Sequence, residues 1–371
     1  MSLKNLFKLI TLILDTHTTY KELVEFLYGE SPPADHNFLR YDYTPHIEKV
    51  ALFGHTRKNS TLFSIIIPTH NRCELLLNTI DAFTKQKDIS QSDFEVVIVD
   101  NGSKDKTEEK IKYFANNQKG LCITYIKMKK NYGADFARNV GVLHSTGNLL
   151  AFTDDDCIVP PDWLYQFKQE FETDTEIAGV SGFKIPKSTR DHLDVYHRYI
   201  MWGHFLRPHI RTKNLHPSHM RFGLTANACY RKSVFEKIGG FNFYFHHVGF
   251  YEFAIRAYKS DLPFMYNPVM VEHFTYLSFR IHIQKCLLQG WDWYLLHKIH
   301  PDIRVNPSSL YFVKRTLHTI RNIITAETSS YLFTKTFSDI VYFSFLSLVT
   351  NFCFWFGKYW VPLKTVNDTT S

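Results

Sequence analysis

Apolar runs of strand length alternate with amphipathic stretches of helix length from Thr61 onward. Leu62-Phe63-Ser64-Ile65-Ile66-Ile67 is a β-branched run stopped by Pro68, and Leu76, Leu77, Ile80 and Phe83 follow at helical spacing. Phe94-Glu95-Val96-Val97-Ile98-Val99 reads as a second strand ending at Asp100-Asn101-Gly102-Ser103, and Lys104 to Asn116 as a charged helix. Leu121 to Met128 is a third strand, Tyr132-Gly133 opens a helix from Ala134 to His144, and Leu149 to Phe152 is a fourth strand. A helical pattern over Pro161–Thr173 comes next. Strands apolar on both faces, joined through helices by short loops, predict an α/β fold with a mostly parallel sheet covered by helices. In such sheets ligands bind beyond the carboxyl ends of the strands. Each predicted end carries polar residues: Thr69, His70, Asn71 and Arg72; Asp100 and Asn101; Asn131; and Asp154 to Asp156. Four ends pointing the same way predict one site.

The fourth strand stops in three consecutive carboxylates, Asp154, Asp155 and Asp156, closed off by Pro160 and Pro161. Adjacent negative charges repel, and a cation relieves them. Oxygen ligands with an open coordination sphere suit Mg²⁺ or Mn²⁺, ions that usually hold phosphate oxygens as well. A solvated acidic turn, or Asp156 as the N-cap of the following helix, is the other reading of the same residues. No G-x-G-x-x-G follows the first strand and no G-x-x-x-x-G-K-[ST] is present, which argues against dinucleotide-binding and P-loop readings.

Outside this block the texture changes. Residues 1–60 read as a helical extension ending in a Pro-containing, His-rich connector. Its first fifteen residues resemble a signal peptide, but Lys8 interrupts the apolar run, Asp15 stops it and no small-residue cleavage site follows, so an amphipathic helix is expected. The net charge is +7, and ten Lys/Arg against five Asp/Glu between Tyr276 and Ser371 place +5 of it in the last quarter. That segment is also apolar, so a membrane surface fits it better than nucleic acid. Ile340 to Gly357 carries no charge over 18 residues, the lower limit for a spanning helix, while Ser344, Ser347, Thr350 and Asn351 weaken it. Spanning, lying in the interface and packing on the protein's own domain all stay open. Six scattered cysteines without a C-x-x-C pair predict a reduced, cytoplasmic setting, and with the charged tail a membrane-associated one, without a zinc site. Lys187 to Phe222, rich in His, Tyr, Arg and Trp, reads either as an aromatic lid facing an acceptor or as a surface insertion.

Five segments in order resemble the family 2 glycosyltransferases of the GT-A fold. They are Ser64-Ile-Ile-Ile-Pro-Thr-His-Asn-Arg72, Val99-Asp-Asn-Gly-Ser-Lys-Asp-Lys-Thr107, Asn131-Tyr-Gly-Ala-Asp-Phe-Ala-Arg-Asn-Val-Gly141, Thr153-Asp-Asp-Asp-Cys-Ile-Val-Pro-Pro-Asp-Trp-Leu164, and the later segment Gly223 to Phe241. The resemblance covers residues 61–275, with 1–60 and 276–371 as helical extensions. It implies a nucleotide-sugar donor, a divalent cation (Mn²⁺ or Mg²⁺) and a glycan or lipid-linked acceptor. Pro68, Thr69 and Arg72 would border the nucleotide, with Asp100 on the base and Arg138 near the diphosphate. Asp154 and Asp155 would face the ribose or sugar, and Asp156 with His273 would hold the cation.

One position departs from the family pattern. Counting back from Arg256, the acidic pair whose Asp serves as general base falls on Gly249 and Phe250, and Phe cannot accept a proton. Glu252 is the nearest carboxylate and becomes the expected base, although an i, i+4 pair with Arg256 is an equally simple role for it. The implied reaction is inverting displacement at an anomeric carbon, transferring a hexose-type sugar. Two other classes remain: a catalytically degenerate protein that binds nucleotide sugar or glycan, motivated by Phe250, and a metal-dependent phosphohydrolase, for which only the Asp cluster speaks.

Overall fold

The computed structural model describes residue 12 and residues 19–33, 36–55, 60–117, 120–187, 212–213, 225–274, 279–302, 345–346, 348–353 and 356–357. The four apolar runs form a parallel block made of β2 (Phe63–Thr69), β3 (Phe94–Asp100), β4 (Cys122–Met128) and β5 (Leu149–Thr153). Helices α2 (Cys73–Phe83), α3 (Thr107–Asn117) and α4 (Ala134–Leu143) connect them in chain order. Alternation along the strands feeds two cores. Ile65, Ile67, Val96 and Ile98 pack toward Leu76 and Ile80 of α2 and toward Trp163 and Phe167 of α5 (Trp163–Thr173). Ile66, Val97 and Val99 pack on the other face against Phe136, Ala137 and Val140 of α4. Gly141 lets α4 come this close, since a Cβ there would lie 2.5 Å from Ile66 Cγ2.

Beyond β5 the ten-stranded sheet becomes mixed. It runs through β9 (Asn227–Arg231), β7 (Gly179–Lys187), β10 (Phe264–Phe274) and β6 (Cys157–Ile158), with β8 (Thr212–Lys213) paired to β10 off this path. Helix α6 (Lys232–Ile238) follows β9, and α7 (Gly249–Lys259) leads into β10. The parallel register sets Thr69 opposite Asp100 and Asp100 opposite Lys127, so the strand ends are level and open on one face.

The region before Thr61 is not purely helical. Its one described multi-turn helix is α1 (Tyr20–Tyr28), closed by a Thr19/Glu22 capping box. Residues Ile47–Gly54 then form β1, which pairs antiparallel with β4 as the sheet's edge strand. Only Phe53 of β1 is buried, so backbone pairing rather than an apolar face makes the strand, and the residue pattern does not announce it. Leu23 and Val24 of α1 join Tyr251 and Ile255 of α7 and Trp291, Trp293 and Leu295 of α8 (Phe279–Ile299) in a third core. Both flanks are thereby packed onto the sheet domain. No described helix is long and apolar enough to cross a membrane. The His-rich stretch Lys187 to Phe222, apart from residues 212–213 and Lys187 itself, and most of the tail lie outside the described residues.

Candidate active site

The turn after β5 fixes three carboxylates in three different directions. Asp155 turns inward, where its carboxylate accepts from Thr69 Oγ1 at 2.8 Å and Arg72 Nη1 at 3.0 Å, and its carbonyl accepts from Thr79 Oγ1 at 3.0 Å. Asp156 takes the same Arg72 nitrogen at 3.0 Å and lies 3.3 Å from His273 Nε2. The sheet explains that meeting, because β6 pairs antiparallel with β10, setting Cys157 opposite His273, and Phe274 N donates to Asp156 O at 2.8 Å. Asp154 faces the other way, onto buried Arg138, which donates to it at 2.7 Å and to Asp135 at 2.7 Å. Gly249, the first residue of α7, sits against that pair; a Cβ there would fall 2.0 Å from Asp135 Oδ2.

Ligand atoms of Asp154, Asp156, Cys157 and His273 all lie within 4.8 Å of one another. Burial, with Asp154 and Asp155 adding repulsion, pushes the Asp156 carboxyl up to about 7 despite Arg72. Burial pushes His273 down to about 3, with Lys184 acting in the same sense, so its ring is neutral and able to ligate. The Asp154 carboxyl is lifted by burial, but Arg138, His273 and Lys184 outweigh this and hold it below the usual carboxylate range. Cys157 is driven well above its ordinary value by burial and stays a thiol, a poor ligand for a hard cation. Two carboxylates and a neutral imidazole fit Mn²⁺ or Mg²⁺. The cluster opens into a cleft of about 650 Å³ that also takes in Pro68, Thr69, Arg72, Arg138, Lys184 and Lys285. Lys184 comes from β7 and Lys285 from α8, giving the cleft cations opposite its carboxylates. Burial, Lys184 and Arg72 together depress the Lys285 ammonium, as expected where cations converge.

A family model described as glycosyl transferase family 2 matches residues 64–239. Residues 64–239 thus resemble the family 2 glycosyltransferases. Among curated relatives, glycosyltransferase AglE of Haloferax volcanii is 38% identical over 101 residues, 27% of this chain and 32% of that protein. The chondroitin synthase of Escherichia coli is 33% identical over 134 residues, 35% of this chain and 19% of the synthase. These matches therefore span a third or less of the relatives' lengths. In structure, the chain resembles a mannosyltransferase from Pyrobaculum calidifontis solved with GDP-Man and Mn²⁺, with a TM-score of 0.53 at 17% identity over 79% of this chain and 87% of that one. That likeness places the sheet and its helices in the GT-A fold.

Two of the expected glycosyltransferase residues are not brought to the cleft. Asp100 is buried, held by Tyr125 Oη and by Ser103 N at 2.7 Å, and its neighbour Asn101 lines the cleft instead. Glu252 is fully buried on α7, where Arg256 clasps it through Nε at 2.8 and 3.0 Å and Nη2 at 2.9 Å, with His300 Nε2 at 3.4 Å. Arg256 and His300 overcome burial and draw its carboxyl down to about 2, which makes it an anchor and a feeble base. Phe250 does line the cleft, as do His246 and His247 of the loop before α7. That loop is fastened by Asp292 of α8, whose carboxylate accepts from the backbone N–H of His246 at 2.9 Å, His247 at 2.5 Å and Val248 at 3.1 Å. Sequence reading passed over Asp135, Lys184, Lys285 and Asp292. A charged residue set between Trp291 and Trp293 on a helix was the one available signal.

Proposed function

We propose that the protein transfers a sugar from a nucleoside-diphosphate donor to a hydroxyl of a glycan or lipid-linked acceptor, with inversion and with a divalent cation. The observation that carries this reading is the convergence of Asp154, Asp156 and His273 with Arg72, Arg138, Lys184 and Lys285 in one cleft at the strand ends. Carboxylates and cations in one cleft suit a metal diphosphate better than either charge alone. The mannosyltransferase of like fold was solved with a nucleotide sugar and Mn²⁺, which supports the same ligand class here. Pro68, Thr69 and Arg72 would border the nucleotide, Arg138 would set Asp154 toward the sugar, and Asp155 would fix the turn from beneath. Asp156 and His273 would hold the cation, which when bound supplies electrostatic stabilisation of the leaving diphosphate.

Phe250 favours a second reading, a protein that binds a nucleotide sugar without transferring it. For place of action, a membrane surface is supported by Phe345, Leu348 and Phe352, which stand about half exposed at helical spacing on a segment that packs on α8 by its other side. The first test is a thermal-shift screen of nucleotide sugars with and without Mn²⁺. One nucleotide class should raise the melting temperature in a cation-dependent way, as linkage requires. Asp156→Ala should fold and lose that dependence. An unchanged Mn²⁺ response in the variant would remove Asp156 from the site, and no response to any nucleoside diphosphate would remove the reading altogether.

A further inference from the structure

The cleft holds four carboxylates, and each is already ion-paired. Arg138 takes Asp135 and Asp154, and Arg72 takes Asp155 and Asp156. With Phe250 unable to accept a proton and Glu252 locked on Arg256, no carboxylate of the described cleft is at liberty to act as a base. Histidines remain. His273 belongs to the candidate metal cluster. Burial lowers His247 to about 4, which leaves it neutral and weakly basic. His273 and His247 share the cleft with His70. His246 differs from these three: its side chain is 28% exposed on the cleft, and its Nδ1 lies 3.1 Å from Oδ1 of fully buried Asp292. Because a carboxylate can only accept, Nδ1 carries the hydrogen and Nε2 presents the lone pair.

We propose that His246, oriented by Asp292, is the base that receives the acceptor's proton. This rests on the glycosyltransferase reading above and supplies the group that Phe250 removes from it. As the acceptor oxygen bonds to the anomeric carbon, its proton passes to His246 Nε2. The bond from that carbon to the donor oxygen breaks, and its electron pair leaves with the nucleoside diphosphate. Asp292 stabilises the imidazolium so formed, the part a buried carboxylate plays behind a catalytic histidine. Position supports the assignment as well. His246 stands three residues before α7, a Cβ on whose first residue would fall 2.0 Å from Asp135 Oδ2, and Asp135 shares Arg138 with Asp154, the carboxylate read above as facing the sugar.

The experiment uses the full chain and a nucleotide sugar that stabilises it in the presence of Mn²⁺. Release of nucleoside diphosphate is followed with an acceptor panel and with water as the default acceptor. His246→Ala should keep the donor-induced thermal shift and lose about 10²–10⁴-fold in turnover. Added imidazole should restore part of that loss. Asp292→Asn should also lower turnover, yet respond little to imidazole because His246 is still in place. A variant at position 246 that turns over at the wild-type rate overturns the proposal. So does one that loses donor affinity in step with rate, or that folds, binds donor and ignores imidazole. A wild type that binds donor and never releases diphosphate overturns it in favour of the binding protein, whereas a wild type that binds no donor removes the underlying reading instead.

Discussion

Glu252 shows how much one side chain's surroundings decide. Its spacing from Arg256 allowed both a base and a helix-surface pair, and burial turned that pair into an internal anchor. Arg256 also reaches the carbonyls of Ile238 and of Gly240, the latter at 2.6 Å, so the ion pair fastens α7 to the turn after α6. Glu252→Gln should therefore destabilise the fold by about 3–5 kcal/mol, the usual cost of stranding one buried partner. The loss should depend on pH in a definite direction. The folded carboxyl sits near 2 against an ordinary 4.5, so its contribution is complete above the ordinary value and fades as pH falls from there toward 2. Denaturant unfolding of wild type and variant at pH 7 and pH 4 checks this. A stability gap that stays constant between the two, or is absent at pH 7, would take the anchor role away.

At the level of elements, what the sequence made legible was whatever carried an apolar period. The four strands of the parallel block and the helices between them lie within a few residues of their expected bounds. Strand β1 escaped because Val50 and Leu52 are exposed and its charged residues face solvent, so pairing with β4 leaves no periodic trace. His273 was legible from its motif, but the reason it reaches Asp156 is a two-residue strand, β6, too short to read. Lys184, Lys285 and Asp292 were illegible for a different reason. Lys184 comes from β7 and the other two from α8, far apart in sequence from the strand ends, and only tertiary packing brings the two lysines to the cleft and Asp292 under its His246 loop. The start of α7 offers a direct test. Gly249→Ala would push a methyl onto the Asp135 carboxylate, so the Asp135–Arg138 pair must shift and take Asp154 with it. Overpacking of this kind costs about 1–3 kcal/mol, and donor affinity should fall as well. Thermal melts with and without nucleotide sugar separate the two effects, and an alanine variant with wild-type values in both would mean the helix start has room to spare.

Across the whole molecule, α8 and the described residues 345–346, 348–353 and 356–357 work as one unit. Thr350 meets His282 at 2.9 Å, Leu346 and Asn351 are buried, and Phe345, Leu348 and Phe352 stay on the outside. The expected alternatives of lying in an interface and packing on the domain are thus compatible, since the two faces do different jobs. Replacing Phe345, Leu348 and Phe352 together by Ser should abolish co-flotation with vesicles containing anionic lipid while leaving the melting temperature within a few degrees. Flotation that persists in the triple variant would assign the membrane contact elsewhere.

The cleft also bears on how this chain can be taken apart. Of the 27 residues that line it, 12 lie after residue 239, on the loop before α7, on α7 itself, on β10, on α8 and at Thr350 and Asn351. The family-matched stretch is therefore not a portable module: cut out or grafted alone, it would present half a binding surface to solvent. Chimeras meant to exchange donor preference should swap the strand ends up to Asp156 and leave everything from Asn242 onward together, because twelve of the residues that line the cleft come from that downstream part.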